Sequence, residues 1–211
     1  NKNRGVPQRV ELTFDYHDGQ LEAAKLVAGP ARVIDVTAGR KWGKSHWGVG
    51  EMLKQWYLYG DSTPLGWIVS PNYPMSLNME RKLSQIAQPI ILKHLKAEHA
   101  YILPPGPRTN GVPIRVEIKS AEDPQTLRGP TVGPRLLDEP AQCAEETLDQ
   151  LRLVGMDSPG SKLLLSGTPA GFNWVYNRIY MKAKWLGRGE IRQGGDPSIA
   201  VYVGPSEENC K

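Results

Sequence analysis

Two short groups of residues in this chain carry side chains suited to phosphate chemistry. The first is a glycine-bearing segment, Thr37-Ala38-Gly39-Arg40-Lys41-Trp42-Gly43-Lys44-Ser45. In a phosphate-binding loop, backbone N–H groups and a helix N-terminus surround phosphate oxygens, the lysine reaches the phosphates and the serine hydroxyl binds Mg²⁺. The strict pattern has glycine where Ala38 stands, and an alanine is tolerated there if its φ stays negative. The alternative for Gly-Lys-Ser alone is a surface turn.

The second group is the carboxylate pair Asp138 and Glu139, which follows two leucines. In P-loop ATPases an aspartate at the end of a neighbouring strand holds Mg²⁺, and a glutamate after it acts as general base on water. We therefore predict that Ser45 and Asp138 bind Mg²⁺ and that Glu139 is the catalytic base. The alternative is that the two acids begin a loop or cap the following helix.

The elements around these groups have the periodicity of an α/β domain. Strands are predicted at residues 32–36, 66–70, 135–138, 162–166 and 199–203, and residues 100–103 and 112–118 predict an antiparallel hairpin. Helices are predicted up to Ala28, then at 47–59, 75–97 with a break at Pro89, 141–153 and 173–186. This alternation predicts an α/β fold of the P-loop NTPase (ASCE) type, with a mainly parallel central sheet flanked by helices and an antiparallel edge hairpin.

The composition limits the remaining possibilities. A chain of 211 residues suits one domain, which we place at 1–211 with an extended lead-in at 1–13. A formal net charge of +4 permits a polyanionic partner. Cys143 and Cys210 have no metal-ligand spacing, which favours a reduced, cytosolic setting. No apolar run has the length of a membrane span, so no membrane partner is expected.

With both motifs placed, the sequence from Phe14 to Asn209 resembles the ATPase domain of the large terminase subunit, the DNA-packaging motor of tailed bacteriophages. Four features carry the resemblance: an arginine inside the loop, the strand and turn at 66–73, Leu127-Arg128-Gly129 placed eleven residues before Glu139, and the segment 166–176 that begins Ser166-Gly167-Thr168-Pro169.

The resemblance implies roles for individual residues. The nucleotide-binding set is Gln20 with the loop residues Ala38, Gly39, Arg40, Lys41, Trp42, Gly43, Lys44 and Ser45. Catalytic roles are implied for Glu139, for Arg40 toward its own nucleotide, and for Arg128 toward a neighbour's. Ser166, Gly167 and Thr168 are implied to couple hydrolysis to motion.

Each of these roles has an alternative. Gln20 is expected to contact the adenine edge, and Phe14 or Tyr16 either packs the base or belongs to the core. Arg40 otherwise forms a surface ion pair and Arg128 is otherwise structural. The coupling segment otherwise only makes a turn. A helix bearing Arg178, Lys182 and Lys184 either faces DNA or is simply solvated.

The resemblance also implies cofactors and partners. These are ATP, Mg²⁺, double-stranded DNA, the portal protein, the small terminase subunit and further copies of the chain in a pentameric ring, with a monomer in isolation. The expected location is the host cytoplasm during virion assembly, transiently on the procapsid. Because residues 206–209, where the ATPase domain would finish, lie near the end of the given sequence at Lys211, no nuclease domain and no DNA cleavage are expected of it.

Two other functions stay open. A helicase-like translocase would share Gln20, the loop and the two carboxylates, but it needs a second motor domain. A non-hydrolysing nucleotide-regulated DNA clamp would have little use for Glu139 as a base.

Overall fold

The structure is a computed structural model and describes residues 12–158 and 160–205. Most of the predicted lead-in and the predicted domain end at 206–209 lie outside these residues. In the described ranges the helices are α1 (Asp18–Ala28), α2 (Lys44–Tyr57), α3 (Tyr73–Ala87) and α4 (Glu146–Leu153). The strands are β1 (Val33–Ala38), β2 (Leu65–Ser70), β3 (Lys93–Leu95), β4 (Ala100–Leu103), β5 (Ile114–Ser120), β6 (Arg135–Asp138), β7 (Leu163–Gly167), β8 (Ala183–Leu186) and β9 (Asp196–Gly204).

The described strands form one sheet in the order β3-β4-β5-β2-β6-β7-β1-β9-β8. The pairs β3–β4 and β4–β5 are antiparallel, and the pairs from β5 through to β8 are parallel. The predicted mainly parallel sheet with an antiparallel hairpin at one edge is confirmed. Strand β3 extends that edge by one strand that the sequence did not predict.

The sheet has a hydrophobic cluster on each face because side chains alternate along every strand. On β1, Ile34 and Val36 belong to the cluster covered by α1, α2 and α3, whereas Val33 belongs to the opposite cluster. The first cluster includes Trp47 and Trp56 of α2, both fully buried. The sheet is therefore covered on both faces, as parallel sheets require.

The register of the central strands fixes where the loops meet. Thr37 of β1 pairs with Gly167 of β7, and Asp138 of β6 pairs with Ser166 of β7. Since β7 lies between β1 and β6 and all three are parallel, the loops that follow them leave the same edge of the sheet. This edge brings together the two groups of residues that the sequence analysis singled out.

Two predicted helices were wrong in part. The helix predicted at 75–97 ends as α3 at Ala87, and a short 3₁₀ turn around Pro89 leads into β3. Proline lacks the backbone N–H that a continuing helix needs, so the chain turns into the sheet edge there.

The helix predicted at 173–186 is a short helical segment that ends in a π-helical turn, Tyr176–Tyr180, and is followed by β8. Residues 183–186 instead pair in parallel with β9. Arg178, Lys182 and Lys184 consequently do not share one helix, and the prediction of one helix that bears all three is wrong.

The start of β6 and the end of α1 agree with the sequence, whereas the start of α4 does not. Strand β6 begins at Arg135, immediately after Pro134, as predicted from the missing proline donor. Helix α1 ends at Ala28, before Gly29-Pro30. Helix α4 begins at Glu146, later than predicted, because a 3₁₀ turn at Pro140–Gln142 precedes it.

Candidate functional site: a phosphate loop facing two carboxylates

The loop from Gly39 to Gly43 connects the end of β1 directly to the first turn of α2. Gly43 has φ of 86° and Lys41 has φ of 66°, both in the left-handed region. Ala38 is the last residue of β1 and is not among the residues with positive φ, so the position does not require glycine. Strand, tight loop and helix N-terminus therefore have the arrangement of a phosphate-binding loop.

Lys44 lies inside this loop. Its Nζ donates to the carbonyl oxygens of Ala38 at 2.9 Å and Gly39 at 3.1 Å. Burial lowers the pKa of Lys44, while the nearby carboxylates of Glu139 and Asp138 oppose that shift. The ammonium group is thus held by the backbone at the start of the loop, near the two acids.

Trp42 anchors the loop to the core. Its side chain is fully buried, with its ring 5.0 Å from the His17 ring and 5.8 Å from the Tyr202 ring. A Cβ at Gly204 would lie 2.6 Å from the indole nitrogen, so β9 also contacts this ring closely. Only the backbone of Trp42 therefore belongs to the ligand side of the loop.

The residues expected near the base pack against the loop and α2. Gln20 is buried, and its Nε2 donates to the carbonyls of Trp42 at 3.2 Å and Gly43 at 3.3 Å. Tyr16 is buried and donates to the carbonyl of Trp47, and Phe14 packs against the same hydrophobic cluster. For both aromatic residues the structure agrees with the core alternative, and the adenine contact of Gln20 stays a prediction.

Asp138 lies at the end of β6, close to the start of α2. Its Oδ1 accepts from Ser166 Oγ at 3.0 Å and from Ser45 Oγ at 3.4 Å. Burial raises the pKa of Asp138 to about 6, while the hydrogen bond from Ser166 opposes that shift. The two predicted Mg²⁺ ligands are therefore adjacent.

Glu139 adopts the left-handed conformation, with φ of 45°, at the turn after β6. Its Oε2 accepts from the Thr168 backbone N–H and its Oε1 from the Thr168 hydroxyl, each at 3.0 Å. A Cβ at Gly167 would lie 2.9 Å from Cδ of Pro140, so the two loops approach closely. The predicted coupling segment thus contacts the predicted base directly.

The two predicted catalytic arginines are both exposed. Arg40 is an exposed loop residue. The Arg128 side chain is 58% exposed, and its Nε donates to Oε1 of Gln150 on α4 at 3.1 Å. Its guanidinium also lies 3.7 Å from Glu146. Arg128 is therefore presented to solvent beside α4, and its role stays a prediction.

Arg178, for which contact with DNA was one of two alternatives, forms ion pairs within the chain. Its guanidinium donates to both carboxylate oxygens of Asp149 at 3.0 and 2.8 Å, and also to Glu145. Bidentate pairs of this kind fix an arginine geometrically. Arg178 therefore ties the π-helical turn to α4.

The donor set at the carboxyl edge fits a magnesium nucleotide. Ser45 and Asp138 offer hard oxygen ligands, which Mg²⁺ prefers together with phosphate oxygens and water. Among residues 12–158 and 160–205, no group of three or more His, Cys, Asp or Glu side chains is arranged to hold a metal ion alone. Over the same residues, no helix has both the length and the apolar character needed to cross a membrane.

Comparison with solved structures identifies the fold. The ATPase domain of the large terminase of Thermus phage P74-26 matches with a TM-score of 0.69 and 20% identity, over 94% of this chain and 84% of that one. The fold is that of the large-terminase ATPase domain. The predicted P-loop NTPase fold is thereby confirmed.

Two large terminases are matched over a smaller share of their own length. The large terminase of a thermophilic bacteriophage, solved in complex with ADP, is 15% identical over 93% of this chain and 47% of that one, with a TM-score of 0.71. The large terminase of bacteriophage HK97 is 16% identical over 95% and 40%, with a TM-score of 0.63. The chain thus spans less than half of these two terminases. No protein-family model and no curated protein matches the sequence.

Sequence reasoning missed two contributors to the site. His17 Nε2 lies 3.0 Å from the carbonyl oxygen of Trp42, and the Trp42 ring supports the loop from the core side. A large apolar residue inside an otherwise polar loop is a signal that could have identified such an anchor. The partner His17 is 25 positions away and carries no comparable signal.

Proposed function

We propose that this chain is an ATP-hydrolysing domain of a DNA-packaging motor. The observation that supports this most strongly is the meeting of Lys44 and Ser45 with Asp138 and Glu139 at one edge of the sheet. Similarity to a terminase ATPase domain and to a large terminase solved with ADP supports the same function. The contact between Glu139 and Thr168 favours hydrolysis over a non-hydrolysing clamp, because a clamp needs no precisely held base.

In this proposal each residue acts through its own chemistry. The loop N–H groups and Lys44 bind the β- and γ-phosphates, and Arg40 neutralises charge on the same nucleotide. Ser45 and Asp138 hold Mg²⁺, which supplies charge neutralisation at the phosphates when it is bound. Glu139 takes a proton from the attacking water, whose oxygen bonds to the γ-phosphorus while the bond from that phosphorus to the β–γ bridging oxygen breaks and ADP leaves. Ser166, Gly167 and Thr168 couple hydrolysis to motion, because a change in the position of Glu139 would move Thr168 and the chain that follows β7.

We further propose that Arg128 completes the active site of a neighbouring copy. Its exposure and its anchoring on α4 by Gln150 and Glu146 suit a side chain that is presented across an interface. Head-to-tail contacts of this kind close into a ring when their rotation permits, and a pentamer is the ring we propose. The isolated chain is then a monomer and a poor ATPase.

The proposed partners are double-stranded DNA, the portal protein and the small terminase subunit. The net charge of +4 favours contacts with DNA phosphates. Because we identified no base-reading motif in the sequence, the proposed DNA binding is not sequence-specific. The proposed location is the host cytoplasm during virion assembly, with transient residence on the procapsid. A helicase-like translocase is the second candidate enzyme. It differs from the packaging motor in that it needs a second motor domain.

A mixing experiment tests the proposal. Arg128→Ala keeps an intact phosphate loop and Lys44→Ala keeps an intact Arg128, so each alone should be inactive while the mixture regains Mg²⁺-dependent ATP hydrolysis. The rate for the wild-type chain should rise more than linearly with protein concentration, more so with DNA.

Normal hydrolysis by Arg128→Ala, or no recovery on mixing under ring-forming conditions, would assign Arg128 a structural role only. Arg40 would keep its proposed role in either case.

A further inference from the structure

The N-terminus of α1 is bonded to the outer side of the phosphate loop. Gln20 Nε2 lies 3.2 Å from the Trp42 carbonyl and 3.3 Å from the Gly43 carbonyl, and Gln20 Oε1 accepts from the His17 backbone N–H. His17 Nε2 reaches the same Trp42 carbonyl at 3.0 Å. An amide nitrogen carries two hydrogens, so both donors of Gln20 have partners within the chain.

Peptide geometry converts these contacts into an orientation of the loop. In a trans peptide unit the C=O and N–H groups point in opposite directions. The Trp42 carbonyl shares its unit with the Gly43 N–H, and the Gly43 carbonyl shares its unit with the Lys44 N–H. The Gly43 carbonyl also accepts the Trp47 N–H of α2 at 3.0 Å, so α2 shares in setting its orientation. The α1 donors therefore direct the Gly43 N–H, and together with α2 the Lys44 N–H, to the side away from α1.

The close approach of Gln20 also restricts position 43. A Cβ added to Gly43 would lie 2.5 Å from Gln20 Nε2, and its φ of 86° is strained for any other residue. Gln20 is 4% exposed, so its amide is enclosed between α1 and the loop. These contacts define a brace, formed by His17 and Gln20 on the carbonyls of Trp42 and Gly43.

We propose that His17 and Gln20 are positioning residues for the phosphate loop, and that they favour the triphosphate of the nucleotide independently of its base. This inference rests on the proposed nucleotide-binding function of the loop. It differs from the expected adenine contact, because both amide donors of Gln20 are bonded to the loop rather than directed at a base. Removal of either side chain should weaken the binding of every ligand that carries the same phosphates.

The test compares the binding of ATP, GTP and inorganic tripolyphosphate, each with Mg²⁺, to the full chain by calorimetry. Gln20→Met keeps the side-chain length and removes the donors, and His17→Phe keeps the ring against Trp42 and removes its nitrogen. Each variant should weaken all three ligands by one common factor, roughly 3- to 10-fold for the single hydrogen bond that His17→Phe removes and a larger factor for the two donors that Gln20→Met removes. Gln85→Met is the matched control, since Gln85 is exposed on α3 and its side chain, within the described residues, accepts a hydrogen bond from Lys82.

The outcomes separate positioning from base reading and from damage to the fold. A loss confined to ATP would mean that Gln20 reads adenine and would overturn the inference. Reduced binding stoichiometry with unchanged affinity, or no change in either variant, would overturn it as well. If Gln20→Met fails to fold, His17→Phe decides the question alone. A wild-type chain that binds none of the three ligands would overturn the proposed function together with the inference.

Discussion

The carboxyl group of Asp35 is buried in the middle of the sheet, on a strand that pairs on both sides. Its residue is 1% exposed and lies opposite Leu165 of β7 and Val201 of β9. One oxygen accepts from the Thr37 hydroxyl at 2.8 Å, and the other has no hydrogen-bond partner among the described residues. Burial raises the pKa of Asp35 to about 7, and the Thr37 hydrogen bond only partly opposes this.

The sign of the pH dependence follows from this shift. The folded chain holds the Asp35 proton more tightly than the unfolded chain, whose pKa is the ordinary 3.8. The stabilisation is therefore complete below the unfolded pKa and is lost as the pH rises through about 7. The full shift corresponds to about 4 kcal/mol, of which about 2.5 kcal/mol falls between pH 5 and 8.

Asp35→Asn removes this titration and little else, because asparagine has nearly the same shape and its oxygen can still accept from Thr37. We expect the free energy of unfolding of the variant, minus that of the wild type, to rise by about 2.5 kcal/mol from pH 5 to pH 8. The unpaired amide group of the variant also lowers its free energy of unfolding by about 1–3 kcal/mol, and this decrease does not vary with pH.

Urea denaturation of both proteins at several pH values measures this difference directly. Asp196→Asn serves as the control, because the Ser198 hydrogen bond lowers the pKa of Asp196 and that group stays ionised above pH 5 in both states. A difference between Asp35→Asn and wild type that stays constant from pH 5 to 8 would refute the reasoning.

The contacts support three further predictions. Thr168→Val should lower kcat roughly 3- to 10-fold through the lost hydrogen bond to Glu139, with ADP affinity unchanged and Thr168→Ser near normal; an unchanged kcat would contradict it. Gly66→Ala should cost about 1–3 kcal/mol of stability by urea denaturation, because the new Cβ would lie 2.4 Å from Cη2 of buried Trp56; full stability would show that α2 shifts freely. Binding of duplex DNA should weaken steeply with added salt, and a flat salt dependence would exclude phosphate contacts.

The parts of the fold that the sequence predicted depend on local signals. The Gly-Lys-Ser turn, the start of β6 after Pro134 and the end of α1 before Gly29-Pro30 are set by nearby residues. The two carboxylates were placed correctly because the ends of parallel strands meet at one sheet edge.

The parts that it missed depend on distant partners. Residues 183–186 form β8 because they pair with the free edge of β9, and β3 forms because it pairs with β4. Neither pairing is visible in a helical periodicity read along the chain. The position of Gln20 against the loop is likewise set by the packing of α1 on β9 and α2. The residue type of Gln20 therefore predicted an amide contact, but not that its partners would be the carbonyls of Trp42 and Gly43.

Glu139→Gln is the most direct test of ATP hydrolysis at this site, with binding and turnover of Mg²⁺-ATP measured on the same samples as the wild type. The variant should bind ATP with nearly wild-type affinity, while its hydrolysis rate falls by roughly two to four orders of magnitude. Lys44→Ala should lose binding itself, which separates the roles of the loop and the base. Hydrolysis by Glu139→Gln at the wild-type rate would contradict the assignment of Glu139 and the chemistry proposed for this edge of the sheet.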